Sequence, residues 1–222
     1  MHVPDPDEAA SPAVNGRVVG KALSDAVRPL LKSVGFTRFA GRTAWRDSEY
    51  TVDFVSFRSF TRYIADGMGC TTCSFAGDVG VFYRCMGPDQ DRPKGYELTF
   101  RAALGKTLSQ PFFLPYGRSR TTDRPDVWFV TENGRTLAEC VADARDCLEA
   151  QGLPFLDKFG QPERAFESLL TERSTATRFG EPGIKMPGNP DGSTWRNAAV
   201  AIGHLFLDDP RTPMRSAPVL EL

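Results

Sequence analysis

From Tyr50 to Ser59 the side chains alternate: Tyr50, Val52, Phe54, Ser56 and Arg58 point one way, and Thr51, Asp53, Val55, Phe57 and Ser59 the other. A period of two sustained over such a stretch is the mark of a β-strand. Thr71 to Arg84 repeats it, with Cys73, Phe75, Gly77, Val79, Val81 and Tyr83 on one face. Gly77 and Gly80 within that run imply a bulge or a close approach by another element. Phe36 to Ala40 and Thr43 to Arg46 flank Gly41-Arg42, which suits a tight hairpin. Glu97 to Leu104 and Val127 to Val130 supply two further strand candidates. Successive strands with short links favour an antiparallel, meandering sheet.

Helices bracket this sheet. Between Arg17 and Val34, Val18, Val19, Ala22, Leu23, Ala26, Val27, Leu30, Leu31 and Val34 recur at helical spacing. Pro29 lacks an amide donor and is expected to kink that helix, and Gly35 stands where a left-handed C-cap is expected. Thr136 to Gln151 carries Leu137, Cys140, Val141, Ala144, Cys147 and Leu148 on one stripe, with Gly152 expected to close it. Pro162 suits a first helical turn that leads Phe166, Leu169 and Leu170 into the core. A last helix is expected over 193–207, burying Trp195, Ala198, Ala199, Ile202 and Phe206. The fold class is α+β: a single domain over 17–222, its central antiparallel sheet packed by an N-terminal helix and several C-terminal helices. Residues 1–16, rich in Pro and Asp, read as a disordered tail. Residues 172–192 read as a long loop, either mobile or a binding element.

Composition narrows the partners. With 222 residues and a formal net charge of −1, the chain has the size of one domain and no basic stripe for displacing counterions from phosphates. Nucleic acid is therefore not an expected partner. Met1 to Gly16 lacks the basic start and apolar core of a signal peptide, and no apolar run approaches the ~20 residues that span a bilayer. Five cysteines, an odd number, suit a reducing compartment. A cytoplasmic location is the expectation.

Candidate chemistry is sparse. Cys70-Thr71-Thr72-Cys73, followed by Cys85, offers three thiolates to a structural zinc ion, but no fourth ligand stands nearby. As a redox pair it enters a predicted strand, where thioredoxin-like pairs precede a helix. Incidental thiols are the preferred reading, and Cys140 and Cys147 lie on one helical face as small hydrophobes. The only histidines are His2, in the tail, and His204, opposite the apolar stripe of the last helix. A nucleophile–histidine mechanism would have to use one of these two. Asp53 and Asp78 each interrupt a strand pattern. They are either paired carboxylates of an active site or residues of a solvated sheet face. The glycine-rich stretch 180–192 lacks the setting of a phosphate loop. No cofactor is expected.

Aromatic residues lie among arginines: Trp45, Phe57, Phe60, Tyr63, Phe82, Tyr83 and Trp128 beside Arg46, Arg58, Arg62 and Arg84. Such residues anchor partners, and they equally cover a sheet against its helices.

The phrase Leu30-Leu31-Lys32-Ser33-Val34-Gly35-Phe36, followed by Trp45-Arg46, resembles the opening of the bacterial domain of unknown function 4304 family. Ser56-Phe57-Arg58-Ser59, Ser74-Phe75, Val79-Gly80-Val81-Phe82-Tyr83, Trp128-Phe129 and Gly152-Leu153-Pro154-Phe155-Leu156 follow in that family's order, over roughly residues 17–170. The resemblance implies an α+β domain with a central antiparallel sheet, and it implies no catalytic residues. It also suggests, by analogy, a bacterial protein of the immunity or accessory type that acts by binding. The leading expectation is thus a non-catalytic protein-binding domain using Trp45, Arg58, Arg84, Tyr83 and Trp128. The alternatives are a carboxylate- or metal-dependent hydrolase, and a structural zinc domain built on Cys70, Cys73 and Cys85.

Overall fold

Asn15 opens the first helix by accepting, through its side-chain oxygen, the N–H groups of Arg17 and Val18. The computed structural model describes residues 14–86, 91–110, 124–171 and 202. In α1 (Gly16–Ser33), Val19, Leu23, Val27 and Leu31 are buried, one every fourth residue, so a single stripe faces inward. Pro29 sits inside the helix without ending it. Gly35, at φ 92°, turns the chain out of the helix as a glycine can, its N–H donating to the Lys32 carbonyl.

The sheet follows in chain order: β1 (Arg38–Ala40), β2 (Thr43–Asp47), β3 (Thr51–Ser59), β4 (Phe75–Tyr83) and β5 (Phe100–Ala103). Each strand is antiparallel to the next, so the expected meander is what forms. The β3–β4 register runs unbroken from Thr51 opposite Tyr83 to Ser59 opposite Phe75, so neither glycine of β4 marks a bulge. Close approach is their reason. A Cβ on Gly80 would stand 2.5 Å from Leu98 Cδ1 and 2.6 Å from the Phe100 carbonyl, and one on Gly77 would stand 2.9 Å from the Phe57 ring.

The alternation along β3 sorts the sheet into two cores. Val55 and Phe57 join Phe75, Val79, Val81, Tyr83 and Phe100 in the main core beneath the helices. Val52 and Phe54 join Trp45, Phe82 and Leu98 in a smaller core on the far face. Trp45 is pinned there by its indole N–H, which donates to the Pro93 carbonyl at 3.1 Å.

Two local expectations are corrected, and one element is new. The 127–130 segment does not form a strand. It makes a single antiparallel bridge, Trp128 to Phe75, because side chains take the two amides that follow: Phe129 N–H donates to Gln110 and Val130 N–H to Ser74. Gly152 does not end its helix. α3 (Leu137–Cys147) runs through a π-turn, Leu148–Gly152, into α4 (Leu153–Phe159). A side chain at Gly152 would meet Leu148, Val79 and Leu104 at 2.7–3.2 Å, so this glycine lets the helical segment lie against the sheet. A short helix with no apolar stripe, α2 (Arg62–Met68), stands between β3 and β4. α5 (Pro162–Thr171) completes the helical layer and buries Ala165 and Phe166.

Most of 1–16, the 172–192 stretch and the 193–207 helix, with both histidines, lie outside the described residues. Ile202 is helical and wholly buried in the main core. Among the described residues no helix is long and apolar enough to cross a membrane.

Candidate binding surface and the buried acids

Two of the five residues expected to meet a partner, Trp128 and Tyr83, belong to the main core beneath the helices. Trp128 is wholly buried, stacked on Phe75 with ring centroids 5.4 Å apart. Its indole N–H donates to Asp143 Oδ2 at 2.8 Å. Burial would raise the Asp143 carboxyl, but donors from Thr107, Trp128 and the Cys147 thiol hold it below the usual carboxylate range. Tyr83 is equally buried: its hydroxyl donates to the Phe159 carbonyl at 2.8 Å, and burial raises its pKa. Large rings fill a core most densely, and each polar end has found its partner. Both residues fasten helices to the sheet.

The other three lie on the far face. Trp45 is 7% exposed, with the Arg92 guanidinium 5.9 Å from its ring centre. Arg84 and Arg38 both reach Asp47 Oδ1, at 2.8 and 2.5 Å. Arg58 reaches Asp78 Oδ2 at 3.3 Å, and Asp78 Oδ1 pairs with Arg101 at 2.9 Å. Arg101 carries no local signal. It joins this cluster only because the β4–β5 register sets it opposite Gly80. One acid thus holds two guanidiniums, leaving a net positive charge, and the Arg58 side chain is 56% exposed.

The two interrupting acids do not converge. Ser56 pairs with Asp78 across β3 and β4, and Asp53 lies three residues before Ser56, so the two carboxylates emerge on opposite faces. A hydrolytic pair of Asp53 and Asp78 has no shared pocket. On the covered face, Asp53 Oδ2 accepts from Arg46 Nε at 2.7 Å. The same guanidinium donates to the Val34 carbonyl at 2.8 Å, lies 3.5 Å from Asp157 and covers the Phe36 ring. Asp53 Oδ1 is buried without a hydrogen-bond partner among the described residues. Burial, outweighing Arg46, pushes the Asp53 carboxyl up to about 6.

The thiols are also separated. Cys70 and Cys73 precede β4 and Cys85 follows it. A nine-residue strand at about 3.3 Å per residue keeps the two ends roughly 30 Å apart. Cys73 Sγ instead donates to the Val14 carbonyl at 3.3 Å. Burial raises all five thiols, Cys147 to about 11, so none is a ready thiolate. Among the described residues no three His, Cys, Asp or Glu side chains gather as a metal site.

One corner shows what composition had only hinted. α2 buries only Ala65, and it is fastened by its ends. Thr61 Oγ1 accepts from Ile64 N–H, while Gly69, at φ 65°, closes the C-terminus and the Cys70 N–H donates to the Ala65 carbonyl. Tyr63 is 88% exposed and Ile64 45%. Arg62, on the same helix, has a side chain 90% exposed and only a 4.0 Å approach to Asp66.

Compared with known protein families, curated proteins and solved structures, the chain matches none.

Proposed function

We propose that this chain is a non-catalytic binding protein, as its bacterial-family resemblance suggested, and that its protein partner docks where β3 runs into α2. The observation that carries this reading is α2 itself. A helix in a globular fold ordinarily turns its apolar residues inward. This one is held by its caps and turns Tyr63 and Ile64 outward. Exposed Tyr beside Arg is the composition of an interface anchor. Arg62 directly precedes the two apolar side chains on α2, and Arg58, four residues earlier on β3, belongs to the net positive Arg58–Asp78–Arg101 cluster. The partner surface that fits is an apolar pocket with an acidic rim. The separation of Asp53 from Asp78 and of Cys85 from the Cys70–Cys73 pair supports binding over hydrolysis or a zinc fold.

A photo-crosslinking residue at position 63 tests this in the cells that make the protein. One dominant adduct is expected at 63, absent when the crosslinker replaces the likewise exposed Tyr96 and reduced by Arg58→Glu. Equal adducts at both positions, or an adduct at 63 indifferent to Arg58→Glu, would count against the corner.

A further inference from the structure

Asp53 keeps a buried carboxylate oxygen without a hydrogen-bond partner among the described residues, and its surroundings join several elements. Arg46, its neighbour across β2 and β3, stands between two carboxylates, Asp53 at 2.7 Å and Asp157 of α4 at 3.5 Å. Above the free oxygen lies the α4–α5 corner. A Cβ on Gly160 would be 3.2 Å from Asp53 Oδ1, so bare backbone covers the carboxylate, and the Gly160 N–H is already given to the Leu156 carbonyl. The corner is tied to the sheet by two hydroxyls. Tyr83 donates to the Phe159 carbonyl, and Thr51 to the Gly160 carbonyl at 3.5 Å.

We infer that Asp53 is a proton-operated clamp on the α4–α5 corner: protonated, it yields the Arg46 charge to Asp157 and draws α4 onto the sheet; ionised, it loosens the corner. The charged and titratable groups that face it are Arg46 from β2, Tyr83 from β4 and Asp157 from α4, with Asp47 acting on it from the far face of the sheet and Glu163 of α5 acting on Tyr83. One cation therefore serves two acids, Asp53 and Asp157. With Asp53 neutral, Arg46 and Asp157 form a balanced pair. With Asp53 ionised, one guanidinium is divided between two carboxylates, and a buried oxygen lacks the donor it needs.

The direction follows from linkage. Burial pushes the folded carboxyl up to about 6 from its ordinary value of 3.8, so the folded protein binds this proton more tightly than the unfolded chain. That stabilisation is complete below pH ~4 and fades as pH rises through about 6. Acidification tightens the clamp. From pH 7.5 to pH 5 the gain is about tenfold in the opening equilibrium. The device is independent of the binding corner at α2.

Hydrogen exchange on the whole protein tests it, read at the amides of Gly160 and Ala165, which donate to the carbonyls of Leu156 and Gln161. After correction for intrinsic rates, protection is expected to rise about tenfold from pH 7.5 to pH 5. In Asp53→Asn the rise should vanish. Should Asp53→Asn fold poorly, Asp157→Asn provides the second variant, and with no carboxylate on α4 to receive Arg46 it should shrink the rise severalfold. Protection that is flat or falls on acidification in the unaltered protein, or that rises equally in either variant, overturns the clamp.

Discussion

Asp53 and Asp78 sit on adjacent central strands and are equally hidden, 4% and 5% exposed, yet their situations differ. Asp78 faces away from the helices, and each of its oxygens meets a different guanidinium. Asp53 faces the helices and shares one guanidinium with Asp157, while its second oxygen meets glycine backbone. Arginine is long enough to reach an acid from a solvated rim with its charge still partly hydrated. Under a packed helical layer there is little room for a second one. The contrast shows how a sheet handles buried charge: the number of donors that can reach an acid matters more than its depth.

Removing partners should break the comparison most sharply on the covered face. Arg46→Ala strips Asp53 of its one ion pair among the described residues and the Val34 carbonyl of a donor. A loss of about 3–5 kcal/mol is expected by urea denaturation at pH 7.5, shrinking at pH 5 as Asp53 takes up its proton. Asp78→Ala leaves two arginines that can turn to water, so about 1–2 kcal/mol is expected in the same assay. If the two losses come out equal, the distinction between the faces fails.

Changing pH sharpens it. The unaltered protein should gain about 1.4 kcal/mol from Asp53 between pH 7.5 and pH 5, one decade of the linkage. Asp53→Asn should lose that gain and Asp78→Asn should keep it, as read by denaturant midpoints across the range. The smallest effect belongs to the docking corner. Tyr63→Ala is expected to change stability by less than about 0.5 kcal/mol, because that side chain is 88% exposed. A larger thermal shift would make α2 a structural element and weaken its assignment as an interface.

Strand alternation and helical periodicity made the architecture legible, down to the sorting of Val52 and Phe54 from Val55 and Phe57. At Gly77 and Gly80 the sequence left a bulge and a close approach equally open, and the unbroken register decides for the latter. What escaped was non-local. Gly152 reads as a stop, and only its contacts with Val79 and Leu104 reveal a helix pressed to the sheet. Trp128 and Tyr83 read as anchors for a partner because alternation does not say which face the helices cover. α2 is too short for an apolar stripe, though its caps, Thr61 and Gly69, stand in plain view. Arg101 enters the site by strand register alone.

The most direct measurement is a carbon-13 NMR titration of the Asp53 carboxyl in the intact protein. The account predicts a midpoint near 6, moving down toward the ordinary carboxylate range in Asp157→Asn. A midpoint near the ordinary carboxylate value of 3.8 would contradict it, for then Asp53 is fully satisfied as an anion and holds no clamp.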